Sequence, residues 1–242
     1  MMIILSSSPC VEHPYMPVLN PANGFIDRLR ESLPSDCRTL FICSDPYSRE
    51  LTCRFGADMA YAFANAGMPF RSFTVLDGRN AHDAGKLIHS SDFLILAGGH
   101  VPTQNAFFRD IGLRELLTGF NGTILGISAG SMNAADTVYA QPEMPGESVD
   151  PGYQKFLPGL GLTHVNILPH YQKVKDDILD GRRLYEDITF GDSMGRTFYA
   201  LPDGSYVLSD GTQSMLCGKS YRLRNGILEL LTRDGEYFPL NP

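Results

Sequence analysis

The stretch that decides the fold is residues 123–133, Thr-Ile-Leu-Gly-Ile-Ser-Ala-Gly-Ser-Met-Asn, where an apolar run enters the pentapeptide Gly126-Ile127-Ser128-Ala129-Gly130. A strand that passes into a helix through small residues can hold a serine on a strained turn, with its hydroxyl exposed above the helix N-terminus. Gly126 and Gly130 would let the strand and the helix approach closely, where a Cβ would clash. The pattern is typical of a nucleophilic serine at position 128; the alternative is an ordinary strand-to-helix turn with a capping serine.

The chain before this stretch alternates between strand and helix patterns. Nearly continuous apolar runs predict strands at residues 2–6, 38–43, 70–76 and 92–96. Helical spacing of apolar residues predicts helices at 21–33, 48–66 and 81–89, and the proline-rich residues 9–20 predict a loop. Strands that are apolar throughout and alternate with helices are typical of a parallel sheet covered on both faces. The predicted fold class is therefore doubly wound α/β with a mostly parallel sheet.

The chain after the pentapeptide has a different pattern. It predicts a polar loop at residues 141–153, a strand at 165–168 and a helix at 176–187. From residue 197 onward, short strand patterns separated by turn signals such as Pro202-Asp203-Gly204 predict a small antiparallel meander attached to the sheet. No change in composition marks a second domain, so residues 1–242 are expected to form one α/β domain.

Composition excludes several classes of function. The net charge is −7 with both signs scattered along 242 residues, which disfavours nucleic-acid binding because phosphate contacts need clustered Lys and Arg. No apolar stretch is long enough to span a bilayer, and the N-terminus lacks the pattern of a signal peptide. Five cysteines without C-x-x-C spacing favour neither a disulfide framework nor a zinc site. A cytoplasmic protein with a small-molecule or peptide partner is expected.

A serine hydroxyl becomes a good nucleophile only when a base takes its proton, so Ser128 would need a histidine. His170 is the best placed of the six histidines, because it follows the strand at 165–168 and strand ends share one rim of a parallel sheet. Gly98-Gly99, at the end of the strand at 92–96, can turn amide groups toward the same rim. Together with the amide of Ala129, these groups could form an oxyanion hole.

These motifs, Gly98-Gly99, the pentapeptide around Ser128 and Pro169-His170, resemble the dipeptidase E (aspartyl dipeptidase) family of serine peptidases. The resemblance runs from the first strand to the turn at 201–204. It implies a fold like that of class I glutamine amidotransferases, cleavage of dipeptides with an N-terminal aspartate, and no metal or cofactor. It also implies Ser128 as nucleophile, His170 as base, and Gly99 and Ala129 as oxyanion donors.

The resemblance leaves the third catalytic residue open. Glu143, in Pro142-Glu143-Met144-Pro145, matches a family loop that carries an acid, and Asp203 matches an acid in a family turn. Either carboxylate could orient His170, and Glu143 is preferred because the Pro-Asp-Gly setting of Asp203 by itself explains a turn residue. An arginine that binds the substrate carboxylate would correspond to Arg182 or Arg183.

One segment departs from the family pattern. Where the family has Gly-Gly-Gly-Asn and an aromatic residue, this chain has Ala97-Gly98-Gly99-His100-Val101. His100 would then lie near the substrate, and the preference for aspartate is open. The alternatives are a cyanophycinase-like or other acidic-peptide hydrolase, an esterase, or a non-catalytic binding protein on the same scaffold. The expected partner is a small peptide, and the protein is expected to be a monomer or a homodimer.

Overall fold

The computed structural model describes residues 1–240 and builds them around a central eight-stranded sheet. The strands are β1 (Met2–Ser6), β2 (Cys10–Val11), β3 (Val18–Leu19), β4 (Arg38–Ile42), β5 (Ser72–Leu76), β6 (Phe93–Leu96), β7 (Thr123–Ile127), β8 (Thr137–Tyr139), β9 (Phe156–Pro158), β10 (Asn166–Leu168), β11 (Ile178–Leu179), β12 (Arg182–Arg183), β13 (Thr197–Ala200), β14 (Tyr206–Ser209), β15 (Ser214–Cys217), β16 (Ser220–Arg224), β17 (Ile227–Thr232) and β18 (Tyr237–Leu240). The helices are α1 (Phe25–Ser32), α2 (Arg49–Asn65), α3 (Ala84–His89), α4 (Val101–Asp110), α5 (Leu113–Leu116), α6 (Ala129–Asn133), α7 (Tyr171–Val174) and α8 (Phe190–Asp192). Short 3₁₀ turns precede α1 and α3, and a π-helical turn (Leu184–Thr189) precedes α8.

The central sheet has the strand order β18-β15-β14-β1-β7-β6-β4-β5. Parallel pairing joins the five neighbouring strands β1, β7, β6, β4 and β5. Antiparallel pairing joins the three strands at the other edge, β14, β15 and β18, to one another and to β1. Parallel strands need helical crossovers, which the predicted alternation of strands and helices supplies. The predicted doubly wound α/β class is therefore confirmed.

Alternate side chains of the parallel strands pack on opposite faces of the sheet. Phe41 and Phe93 join the buried cluster that includes Phe63 of α2, whereas Leu40 and Leu94 join the cluster on the other face. This period of two explains why the strand patterns are apolar throughout, since both faces are covered by helices. No helix in residues 1–240 combines the length and the apolar character needed to cross a membrane.

The C-terminal strands, which were predicted to form one meander, belong to two different sheets. Strands β14, β15 and β18 extend the central sheet beyond β1, and β13, β16 and β17 form a second sheet with the order β10-β13-β16-β17. Within that second sheet, β10 and β13 pair in parallel. The predicted single meander is thus split between two sheets, because turn signals locate strands without specifying their partners.

The predicted helix at 176–187 is wrong. The segment contains the antiparallel hairpin of β11 and β12, which turns at Asp180 (φ 53°) and Gly181 (φ 78°). Two successive residues with positive φ make the tight hairpin turn that Asp-Gly favours. The predicted loop at 9–20 likewise contains the short hairpin of β2 and β3.

Gly130 shows why the pentapeptide needs small residues. A Cβ at Gly130 would overlap the carbonyl oxygen of Leu96 in β6, and a Cβ at Gly126 would lie 2.8 Å from the Cα of Ser131. Backbone atoms cannot move aside as flexible side-chain ends can. The two glycines therefore allow α6 to lie directly against β6 and β7.

Gly130→Ala is expected to lower the free energy of unfolding by about 1–3 kcal/mol, the usual cost of inserting a methyl group into a packed interior. Urea unfolding followed by circular dichroism would measure it. Gly191→Ala is the matched control, since a Cβ at Gly191 meets nothing within 4 Å. Equal stability of the two variants would contradict the close approach at Gly130.

Candidate active site

Ser128 lies on a sharp turn between β7 and α6. Its backbone has φ 49° and ψ −111°, a conformation that costs free energy for a residue with a Cβ. The turn is held from both sides: the Ser128 N–H donates to the carbonyl of Ser6 at 3.1 Å, and the N–H of Met132 donates to the Ser128 carbonyl at 3.0 Å. The strained turn thus presents the serine hydroxyl at the carboxyl edge of the central sheet.

His170 approaches Ser128 from the end of β10. Its Nε2 lies 3.0 Å from Ser128 Oγ, and its Nδ1 lies 2.7 Å from Asp203 Oδ1. The backbone of His170 is itself unusual, with φ 58°, and its N–H donates to Ser7 Oγ at 2.7 Å. One imidazole therefore joins a hydroxyl on one side to a carboxylate on the other.

Asp203 is held by several donors besides the imidazole. Ser7 Oγ donates to Oδ1 at 2.9 Å, Gln172 Nε2 donates to Oδ2 at 2.7 Å, and Lys173 Nζ lies 3.1 Å from Oδ2. Burial by itself raises the pKa of Asp203, but the contacts with His170, Lys173 and Ser7 outweigh it and hold the pKa well below its usual range. The carboxylate is therefore ionised at neutral pH and can accept a hydrogen bond from His170 Nδ1–H.

The preference for Glu143 as the orienting acid does not agree with this geometry. Glu143 Oε1 accepts a hydrogen bond from the Val101 N–H at 3.3 Å, at the start of α4, and Asp203 occupies the position beside His170. Although Glu143 is exposed as a residue, withdrawal of its carboxyl group from water raises its pKa. The parallel pairing of β10 with β13 explains the outcome, because the register Leu168 to Ala200 brings the turns that follow both strands together.

Gly98 and Gly99 bring the end of β6 close to the serine. A Cβ at Gly98 would lie 3.4 Å from Ser128 Cβ, and a Cβ at Gly99 would overlap the side chain of Ser44. Ala129 is the first residue of α6, so no carbonyl of its own helix can accept its N–H. The residues predicted as oxyanion donors therefore lie on either side of the Ser128 turn.

His100 is held by side chains of its own neighbourhood. Its Nδ1 lies 2.7 Å from Thr103 Oγ1, and its Nε2 lies 2.8 Å from Glu147 Oε1. The second of these contacts joins the start of α4 to the loop at 141–153. His100 thus holds the loop at 141–153, which covers one side of the site, against the start of α4.

The guanidinium groups of Arg182 and Arg183, which were predicted to bind a substrate carboxylate, have partners within the protein. Arg182 donates to the backbone carbonyls of Ser148 and Asp187, at 3.0 and 2.9 Å, and Arg183 forms an ion pair with the Asp187 carboxylate at 2.7 Å. Both arginines belong to the β11–β12 hairpin that was predicted as a helix. Their guanidinium groups join this hairpin to the loop at 141–153 and to Asp187, which follows the hairpin.

Two cavities meet at Ser128, His170 and Gly99. The first, which we call the open groove, has a volume of about 730 Å³ and lies between residues 8–17 and α2. The second, which we call the inner pocket, has a volume of about 300 Å³ and lies between α4, the loop at 141–153 and the β11–β12 hairpin. A small ligand could therefore extend to both sides of the serine.

Sequence reasoning missed three residues that support the imidazole and carboxylate: Ser7, Gln172 and Lys173. A signal for Ser7 was present, since Ser7 and Ser8 directly follow the first predicted strand and so lie at the same rim as Ser128. Gln172 and Lys173 carried no signal, because their contacts depend on the pairing of β10 with β13. No group of three His, Cys, Asp or Glu side chains within residues 1–240 is arranged to hold a metal ion.

The sequence profile of Peptidase family S51 matches residues 2–217 of the chain. Among solved structures, the fold is similar to a peptidase from an acI-B1 Actinobacterium, with a TM-score of 0.68, 18% identity, and coverage of 99% of this chain and 96% of that chain. It is also similar to a candidate peptidase E from Listeria monocytogenes EGD-e, with a TM-score of 0.57, 15% identity, and coverage of 96% and 98%. No curated protein matches the chain.

Proposed function

Because the chain belongs to peptidase family S51, the family of dipeptidase E, we propose that this peptidase is of the serine type and cleaves dipeptides or other short peptides through an acyl-enzyme on Ser128. The observation that carries the proposal is the continuous chain from Ser128 Oγ through His170 to Asp203, with separations of 3.0 and 2.7 Å. A nucleophile within reach of a base, which a third group orients, is the arrangement that acyl transfer requires.

In the proposed first step, Ser128 Oγ attacks the scissile carbonyl carbon while His170 Nε2 takes the hydroxyl proton. The ionised Asp203 keeps the proton on His170 Nδ1, so Nε2 is free to act as a base, and it stabilises the imidazolium that forms. The amides of Gly99 and Ala129 would hold the negative oxygen of the tetrahedral intermediate.

In the proposed second step, the C–N bond breaks and His170 Nε2–H gives its proton to the leaving amine. A water molecule then attacks the acyl-enzyme, with His170 acting as base once more, and Ser128 is released together with the acid product. The reaction needs no group beyond these side chains, the two amides and water.

The N-terminal aspartate implied by the family resemblance stays a prediction. A substrate carboxylate would need a cation beside it, and the guanidinium groups of Arg182 and Arg183 are engaged by Ser148 and Asp187. Short peptides are favoured over folded proteins because the inner pocket holds only about 300 Å³.

A fluorophosphonate probe tests the proposal, because it labels a serine only when a base activates it. We expect labelling of the wild type at Ser128, together with peptide hydrolysis that labelling abolishes. A protein that neither reacts with the probe nor releases amino acids from peptides would instead support the non-catalytic binding function.

Ser7→Ala is expected to lower kcat about tenfold with little change in KM. Ser7 is fully buried, accepts from the His170 N–H and donates to Asp203 Oδ1, so its loss loosens the orientation of both groups. A tenfold effect corresponds to about 1.4 kcal/mol, within the range for a buried hydrogen bond.

Ser193→Ala is the matched control for Ser7→Ala. Ser193 is equally buried, accepts from the Gly226 N–H and donates to the Phe190 carbonyl, but lies away from the site. Both variants should lose similar stability in urea, and only Ser7→Ala should lose turnover. Equal kcat values for the two would contradict a positioning role for Ser7.

A further inference from the structure

Building on the proposed serine peptidase activity, we propose that the substrates are short peptides with a free α-amino group and bulky uncharged side chains on both sides of the scissile bond. The inner pocket takes the N-terminal residue, and the open groove takes the residue that leaves. Acidic side chains are disfavoured at both positions.

The charges around the two cavities support this assignment. Among the described residues that line either cavity, none is a lysine or an arginine. Carboxylates are present instead: Glu12 and Asp58 line the open groove, and Glu143 and Asp177 line the inner pocket. An acidic substrate side chain would lose hydration beside groups of its own sign.

Lys173, which contacts Glu12 at the groove, does not change this balance. Lys173 Nζ lies 2.6 Å from Glu12 Oε1 and 3.1 Å from Asp203 Oδ2, so its charge is already shared by two carboxylates. If Lys173 moved toward a substrate, its contact with the Asp203 carboxylate would be weakened. A substrate carboxylate in the groove would therefore compete with Glu12 and Asp203 for Lys173.

The open groove has apolar walls that no other part of residues 1–240 covers. Val11, Met16 and Phe55, which line the groove, are 36, 40 and 41% exposed, and Met59 also lines it. Cys10 adds to this surface as a neutral thiol, because burial and then the charge of Asp58 raise its pKa to about 12. Exposed apolar side chains that surround a cavity next to a nucleophile favour a large apolar group of the substrate.

The inner pocket is smaller and combines apolar walls with carboxylates. Val101, Met132, Val174 and Leu184 supply the walls. A pocket of about 300 Å³ suits the end of a peptide, and a chain end that faces Glu143 is best matched by an ammonium group. The N-terminal residue is therefore assigned to this pocket.

Hydrolysis of a panel of dipeptide amides tests the proposal, with C-terminal amides used so that charge varies only at the tested positions. The panel compares Leu-Phe amide with Asp-Phe amide, Leu-Asp amide, Leu-Ala amide and N-acetyl-Leu-Phe amide, each with wild type and Ser128→Ala. We expect kcat/KM for Leu-Phe amide to exceed each of the other values at least about tenfold.

Phe55→Ala tests the assignment of the groove. It should raise KM for Leu-Phe amide about tenfold and leave the values for Leu-Ala amide nearly unchanged. Leu51→Ala is the matched control, because Leu51 lies one turn earlier in α2 with the same 41% exposure but does not line the groove. Equal effects of both variants would overturn the assignment.

The outcomes separate the two proposals. Ser128-dependent hydrolysis that is faster for Asp-Phe amide than for Leu-Phe amide would overturn the substrate class and leave the serine peptidase in place. Absence of hydrolysis for every peptide, with no labelling of Ser128 by the fluorophosphonate, would overturn both.

Discussion

Ser128→Ala is expected to lower kcat about 10⁴- to 10⁶-fold for every peptide that the wild type cleaves. The substitution removes the atom that forms the proposed acyl-enzyme, and the proposed roles of His170 and Asp203 depend on that atom. The residual rate over water would come from the oxyanion donors and from substrate binding. Steady-state kinetics with the best peptide of the panel, at enzyme concentrations high enough to detect slow turnover, would measure the loss.

Ser131→Ala is the appropriate comparison for Ser128→Ala. Ser131 lies in α6, the short helix that follows Ser128; it is fully buried and donates to the Ser6 carbonyl at 2.9 Å, but it does not touch His170. It should lose stability and keep turnover, whereas Ser128→Ala should keep the urea midpoint close to that of the wild type. Turnover by purified Ser128→Ala at a rate near that of the wild type would rule out the proposed intermediate.

The elements that could be predicted from the sequence are those whose signal is local. The strand β7, the turn at Ser128 and the helix α6 follow from an apolar run, two glycines and small residues within eleven positions. The parallel strands were predicted for the same reason, since a strand buried on both faces is apolar at every position. Because strand ends share a rim, the position of His170 beside Ser128 could then be predicted as well.

The parts that were missed depend on chain pairing or on competing local signals. The segment at 176–187 has helical spacing, but the Asp180-Gly181 turn and the packing of the hairpin decided its structure. Arg182 and Arg183 belong to this hairpin and do not line the two cavities that meet at Ser128. Local sequence does not specify which strands pair, and the division of the C-terminal strands between two sheets could not be predicted for that reason.

The positions of Glu143 and Asp203 show how a long-range contact determines which acid lies beside His170. Both are acids in proline-containing segments, and local sequence favoured Glu143, because the Pro-Asp-Gly setting of Asp203 is explained by a turn alone. The pairing of β10 with β13 favours Asp203, because it brings the turn at Asp203 beside His170. Glu143 is held instead at the start of α4, where it borders the inner pocket.

Asp203→Asn should therefore lower kcat about 10⁴-fold, the size of effect measured for the equivalent change in a well-studied serine protease triad. A neutral amide does not hold the proton on His170 Nδ1, so Nε2 is no longer available as the base. The matched variant Glu143→Gln should raise KM, because Glu143 faces the proposed site of the substrate ammonium group, but should keep kcat within about tenfold of the wild type, because Glu143 does not contact the imidazole. A larger loss of kcat in Glu143→Gln than in Asp203→Asn would reverse the assignment.

Stability provides an independent check. The pKa of Asp203 is lowered in the folded protein, so its ionised form stabilises the fold at pH values above about 4, the usual pKa of an Asp carboxyl group in unfolded chains. The difference in unfolding free energy between wild type and Asp203→Asn should stay constant from pH 7 down to about pH 4 and shrink below it, as the carboxylate takes up its proton.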